Sequence, residues 1–148
     1  MPSIILASAS PRRAELLQQI GLNFSVRPAD IDETPEPDET PEHYVERLAR
    51  EKALVVAGSS PECLVLGSDT SVVLDGEILG KPSDFTEARE TLARLSGATH
   101  QVMTAVALAS EGQCQSVLVI TEVCFRQLSS AEIDAYVASG EPMDKAGS

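Results

Sequence analysis

Apolar positions along the chain come in runs whose period switches between short continuous stretches and steps of three and four. Ile4 to Ala7 is a continuous apolar run and reads as a buried strand. Arg13 to Ile20 reads as a helix that Gly21 ends, with Ser10 as N-cap and Pro11 at the first helical position, where a missing N–H costs nothing. "NFSVRP" reads as a second short strand, stopped by Pro28. After a proline-rich loop, Thr40 and Pro41 repeat the cap-and-proline start. The helix "PEHYVERLAREKALVVAG" then places Tyr44, Val45, Leu48, Lys52 and Val55 at helical steps, with Gly58 closing it. "CLVLG" reads as a short buried strand ending at Ser68 and Asp69. "TSVVLDGEILGKP" follows, with Asp75-Gly76 as a tight-hairpin signal.

A further helix runs from about Thr86 to Leu95 and ends at Ser96-Gly97. "HQVMTAVALAS" and "SVLVITEVCFRQL" bracket "EGQ" as a long antiparallel hairpin, and Ser129-x-x-Glu132 is a capping box opening a last helix that stops at Gly140. Helices alternating with strands early and a hairpin late predict an α/β fold, a mixed twisted sheet flanked by helices. A length of 148 residues predicts one domain spanning 1–148, and the chain reaches its end in the glycine-bearing loop "GEPMDKAGS".

Charge narrows the classes. The net charge of −12 opposes a nucleic-acid surface, which needs a basic stripe. Much of the excess is local: Asp30, Asp32, Glu33, Glu36, Asp38, Glu39, Glu42 and Glu46 precede Arg47 with no Lys or Arg among them. Most of these read as a solvated acidic loop, and a carboxylate with a task is expected near the strand end, at Asp32 or Glu33. Cys63, Cys114 and Cys124 lack metal-ligand spacing, fall in or beside apolar strand segments and read as core. The apolar run before Arg12 is too short for a signal peptide and no segment reaches membrane-span length, so a soluble cytoplasmic protein is expected.

The first helix poses an electrostatic problem. A helix N-terminus is positive and favours acidic residues, yet Arg12 and Arg13 stand there. A bound phosphate would make those charges complementary: backbone N–H groups and the hydroxyls of Ser8 and Ser10 donate, and arginine supplies paired donors of matching geometry. The bland reading points both arginines to solvent or to Glu15 and the acidic loop. Asp69, at the end of a central strand, has the chemistry to hold a divalent cation or take a proton from water, or else to bond only its local turn. "GEILGKP" fails as a phosphate-binding loop, since the glycine spacing is one residue short and Pro82 follows Lys81. Lys81 is left as one positive charge on a stiff turn, Lys145 as a cation on a loop, and Lys52 by default as a solvated helix residue. His43 and His100 are the only histidines and no Gly-x-Ser-x-Gly elbow exists, which sets aside a Ser-His-Asp hydrolase; His100 reads as a satisfied structural residue.

Taken in order from residue 4 onward, "SASPRRAELL", the acidic loop with Glu33, "AREKA", "GSDT", "LGKP", "LSGATHQVMTAVAL" and "GEPMDKAG" resemble the Maf family of nucleoside triphosphate pyrophosphatases. That resemblance implies an α/β fold similar to the inosine triphosphatase-like (Maf/Ham1) group and hydrolysis of a nucleoside triphosphate to the monophosphate and pyrophosphate. It implies a divalent metal, Mg²⁺ or Mn²⁺, as cofactor, and makes a homodimer an expected assembly. It assigns Asp69 as proton acceptor, Ser8, Arg12, Arg13, Lys52 and Lys81 as phosphate ligands, and Glu33 and Asp69 as the metal side. Arg12 in "SPRR", Thr70 after Asp69, and "DKAG" resemble the branch acting on dTTP and UTP, including modified pyrimidine triphosphates. In that branch a Gly-Ile-Gln-Gly segment follows "DKAG", so the resemblance also implies that a C-terminal portion of the family pattern is missing. The rival reading is a non-catalytic nucleotide-binding regulator of cell division, and a third is a protein-interaction module using the acidic loop.

Overall fold

A computed structural model describes residues 3–8, 10–80 and 82–139. Among the described residues the elements run β1 (Ser3–Leu6), α1 (Pro11–Gln19), β2 (Ser25–Val26), α2 (Pro41–Gly58), β3 (Cys63–Leu74), β4 (Glu77–Leu79), α3 (Phe85–Leu95), β5 (Thr99–Ser110), β6 (Gln113–Cys124) and α4 (Ser130–Ala138). The strands form one mixed sheet in the order β2-β1-β3-β5-β6, with β4 paired to β3. No described helix is long and apolar enough to cross a membrane. Two compact units divide the chain, Met1–Asp69 with Thr104–Leu118, and Thr70–Met103 with Val119–Ser148.

In the first unit β1 runs parallel to both neighbours, with Ile5 opposite Ser25 and Val65, and Leu6 opposite Val26 and Leu66. Parallel strands need apolar cover on both faces, which matches the unbroken apolar runs of β1 and early β3. Helix α2 buries Val45, Leu48, Ala49, Ala53 and Val56, the stripe of three-and-four steps being its packed face. Its approach to β3 is close because position 67 is glycine: a Cβ there would lie 2.4 Å from the Ala49 carbonyl oxygen and 2.8 Å from the Ala53 nitrogen. Helix α1, by contrast, buries none of its nine residues, and its Leu16 and the C-cap Ile20 are exposed. Strand β2 is only two residues, both exposed, shorter than "NFSVRP" suggests.

One boundary differs from the sequence expectation in a way that matters. Strand β3 does not end at Ser68-Asp69; it continues to Leu74. Ser68, Asp69 and Ser71 are all buried, so these polar residues occupy the interior of a strand rather than a turn. The turn comes at Asp75-Gly76, where φ values of 51° and 79° give the left-handed pair that a two-residue hairpin demands. The neighbouring strand β1 does end, at Leu6 opposite Leu66, and Ala7 N donates to Leu66 O at 2.8 Å. Asp69 therefore lies past the end of its partner strand, level with the start of the β1–α1 turn.

The second unit holds the β3–β4 hairpin, with Leu74 opposite Glu77, over a cluster of Val72, Leu74, Leu79 and Leu95. Helices α3 and α4 meet through Ala88, Leu92, Ile133 and Val137. The Ser129–Glu132 capping box is present, and α4 ends at Ala138 with Ser139 as C-cap; Gly140 lies outside the described residues. Two structural expectations are corrected. His100 is buried against Phe125, edge-on at 4.8 Å between ring centroids, but among the described residues its Nδ1 has no hydrogen-bond partner and so is not satisfied. The cysteines are not core: Cys63 and Cys114 are half-buried and Cys124 is exposed, because the β6 residues beside Cys114 and Cys124 are largely uncovered.

Candidate active site

The β1–α1 turn resolves the arginine problem for one of the two residues. Ser10 caps α1, its Oγ accepting from Arg13 N at 3.4 Å, and Pro11 opens the helix. Buried Ser8 accepts at Oγ from Ser10 N at 3.1 Å and from Arg13 Nη1 at 3.3 Å. The same Nη1 donates to the carbonyl of Ser68 at 3.3 Å, one residue before Asp69. Arg13 thus folds back across the helix start into the interior instead of extending to solvent. Burial pushes its pKa down, the nearby Asp69 carboxylate opposes that, and Arg12 adds repulsion. A guanidinium remains charged at neutral pH under such pressure, so the turn holds a fixed positive group. Arg12 is exposed.

Facing that turn along β3, Asp69 pairs with Lys52, Nζ to Oδ1 at 3.0 Å, and Lys52 reaches Glu33 Oε1 at 3.4 Å. The ammonium and the Asp69 carboxylate are 15% and 12% exposed, whereas Glu33 is 56% exposed, so the inner pair is the constrained one. Burial raises the pKa of Asp69; the Lys52 charge and hydrogen bond pull it down, Glu33 raises it further, and Arg13 lowers it. A carboxylate held this way is a better proton acceptor than one in water. Lys52 is not a solvated helix residue: the same close packing at Gly67 that brings Ala49 and Ala53 onto β3 carries the adjacent Lys52 to Asp69.

Ser8, Arg13, Lys52, Asp69 and, at the rim, Glu33 are therefore brought together within the first unit. Thr70 follows Asp69 in β3, half-buried, and strand alternation turns its side chain to the opposite face. Lys81, Lys145 and the "DKAG" segment lie outside the described residues. Sequence reasoning missed two participants, Tyr44 and Arg47. Tyr44 Oη donates to the Glu33 carbonyl at 2.5 Å, and Arg47 Nη2 donates to the Thr34 carbonyl at 3.2 Å. The available signal was Arg47 itself, the first cation after the acidic run. Burial, then the charges of Asp69 and Glu33, raise the pKa of the Tyr44 hydroxyl, which stays a donor at neutral pH.

Comparison with known proteins places the chain among named relatives. The chain is 54% identical over 149 residues to a dTTP/UTP pyrophosphatase of Pseudoalteromonas atlantica, covering 98% of this chain and 78% of that protein. It is 56% identical over 144 residues to a dTTP/UTP pyrophosphatase of Myxococcus xanthus, covering 97% of this chain and 73% of that protein. Its fold is similar to a nucleoside-triphosphatase / dITP/XTP pyrophosphatase from Mycobacterium abscessus, with a TM-score of 0.56 at 18% identity over 94% of this chain and 95% of that one. A HAM1 protein from Coxiella burnetii gives the same TM-score of 0.56 at 18% identity, over 84% of this chain and 73% of that one. The match to the family described as Maf-like protein runs over residues 3–148, and the chain belongs to that family.

Proposed function

We propose that this protein is a nucleoside triphosphate pyrophosphatase acting on dTTP or UTP, or on modified pyrimidine triphosphates, and releasing the monophosphate and pyrophosphate. The observation that carries the reading is the Asp69–Lys52–Glu33 chain of charges beside the Ser8/Arg13 turn. An acidic protein binds a polyphosphate only through a local cationic pocket, and Arg13 with Lys52 supplies one. The relatives named for dTTP and UTP hydrolysis support the pyrimidine choice.

The donor set also fits a divalent cation, Mg²⁺ or Mn²⁺. Two carboxylate oxygens, from Asp69 and Glu33, already converge on one cationic centre, Lys52 Nζ, and hard oxygen donors are what these ions take. Such an ion, held by Asp69 and Glu33, would neutralise phosphate oxygens. This chain's residues then divide the remaining work. Arg13, Ser8 and the α1 N-terminus bind and orient phosphate oxygens, and Lys52 transfers its charge from the carboxylates to the triphosphate. Asp69 orients water for in-line attack at phosphorus. As the new P–O bond forms, the bond to the pyrophosphate oxygen breaks and the water proton passes to the Asp69 carboxylate.

The test is pyrophosphate release over a panel of triphosphates, with and without Mg²⁺, for the wild type and Asp69→Asn. The variant keeps the shape of the side chain and loses the base, which is expected to cost about 10²–10⁴-fold in turnover. Binding of a non-hydrolysable triphosphate analogue should persist. Full turnover by Asp69→Asn removes Asp69 from the chemistry. Silence of the wild type on every triphosphate, with binding intact, supports the regulator instead.

A further inference from the structure

Glu33 reaches Lys52 from a segment with no regular structure, between β2 and α2. A half-exposed loop carboxylate does not hold a 3.4 Å approach by itself, so something must fix its backbone. Both peptide groups after the Glu33 Cα are anchored from α2. Tyr44 Oη holds the carbonyl of Glu33, and Arg47 Nη2 holds the carbonyl of Thr34. Arg47 goes on to grip the end of the same loop: Nε lies 2.7 Å from Glu39 Oε2 and Nη2 lies 2.9 Å from Glu39 Oε1, a two-pronged pairing. Its remaining nitrogen pairs with Glu51 at 3.0 Å, one turn further along α2, so the guanidinium cannot swing freely.

The buried end of this clamp is firm. The Glu39 carboxylate is 2% exposed, and the Arg47 hydrogen bond holds its pKa down to about 2. Glu36, Glu39 and His43 place donor atoms within 4.8 Å of one another, as a metal site would. Arg47 already covers both Glu39 oxygens, so the cluster is satisfied as a clamp. The Arg47 guanidinium also stands 5.6 Å over the Tyr44 ring, which couples the two anchors.

Tyr44, Arg47 and Lys52 all project from one helix. Helix α2 therefore sets the loop and the ammonium it must meet in a single rigid frame. We propose that Tyr44 and Arg47 are positioning residues that place the Glu33 carboxylate at Lys52 and Asp69 and thereby tune turnover. This rests on the reading of Glu33 and Asp69 as the carboxylate side of the site.

Tyr44→Phe keeps the ring and removes the hydroxyl; Arg47→Lys keeps the charge and removes the fork. Each is expected to lower kcat for pyrophosphate release roughly 10- to 100-fold with KM for the triphosphate little changed, because displacing a reacting group by about 1 Å costs on that scale. Hydrogen exchange at the amides of Glu33, Thr34, Glu36, Asp38 and Glu39 should accelerate in both variants while amides across α2 keep their protection. In a Glu33→Gln background neither substitution should lower kcat further. Unchanged exchange at 33–39 overturns the clamp. Equal additional losses in the Glu33→Gln background overturn action through Glu33. If Glu33→Gln alone keeps wild-type turnover, the carboxylate assignment fails and the tuning role falls with it, while the exchange measurement still decides whether the loop is clamped.

Discussion

Substituting Gly67 by alanine adds one methyl group at the point where α2 meets β3. That Cβ would sit 2.4 Å from the Ala49 carbonyl oxygen, 2.8 Å from the Ala53 nitrogen and 2.9 Å from the Ala53 Cβ, about 1 Å short of ordinary contact at the tightest point. The obstacles are helix backbone and a methyl, with no flexible side-chain end to swing aside, so α2 must withdraw. Overpacking of this kind costs about 1–3 kcal/mol. The lower chain entropy of unfolded alanine returns only about 0.4–1 kcal/mol, so the net effect is destabilising. At roughly 2–4 °C per kcal/mol for a chain of this size, the melting temperature should fall by several degrees.

The same displacement acts on the site. Lys52 precedes Ala53, and Asp69 lies two residues after Gly67. Moving α2 back by about 1 Å carries Lys52 Nζ away from its 3.0 Å bond to Asp69. A shift of that size at a reacting group costs about 10²-fold in rate. The assay pairs thermal unfolding with pyrophosphate release measured well below the melting temperature, so that the folded fraction does not limit turnover. Gly67→Ala with a lowered melting temperature and wild-type turnover would refute the link between helix packing and the site. Wild-type behaviour in both would refute the close approach itself.

Lys52→Met removes the cation that Asp69 and Glu33 now share. Turnover should collapse, while free Mn²⁺, titrated calorimetrically without nucleotide, should bind roughly tenfold more tightly because the inner Asp69 pair and the rim Glu33 pair no longer compete; equal or weaker Mn²⁺ binding would count against the shared carboxylate site. His100 gives a pH prediction. Burial lowers its folded pKa below the ordinary 6.5, so the native state takes up the proton less readily than the unfolded chain. Its contribution to stability is complete above pH 6.5 and is lost as pH falls through that value toward the folded pKa. The urea midpoint should begin to decline as pH falls below 6.5, before ordinary carboxylates titrate, and His100→Leu should flatten that decline; an unchanged slope in the variant would assign it elsewhere.

Much of the local structure was legible from spacing and caps. The Ser10-Pro11 and Thr40-Pro41 starts, the Ser129–Glu132 box and the Asp75-Gly76 turn are chemical statements made by adjacent residues, and each is where the pattern placed it. The site was legible in part. Asp69, Ser8 and Arg13 stand together, but Asp69 lies within a strand: Ser68, Asp69 and Ser71 are buried in β3, polar residues that would turn the chain at a surface. From spacing alone Lys52 read as solvated, because helical spacing says which face a residue shares, not what lies opposite; only the family resemblance put it among the phosphate ligands. Glu39 read as one more solvated charge because its burial under Arg47 depends on a loop folding back onto a helix.

Neighbouring residues were enough to read most elements, their caps, the α/β class and the family likeness, since those are written in adjacent positions along the chain. Which arginine folds back to Ser8 and Ser68, and which carboxylates share a lysine, depended on how distant segments pack. The same packing draws α2 against β3 at Gly67, so that one helix carries Tyr44, Arg47 and Lys52. A hydrogen-bonded ion pair forms only when its atoms come within a few ångströms, so it is set by how distant segments pack, and no spacing along the chain encodes that distance.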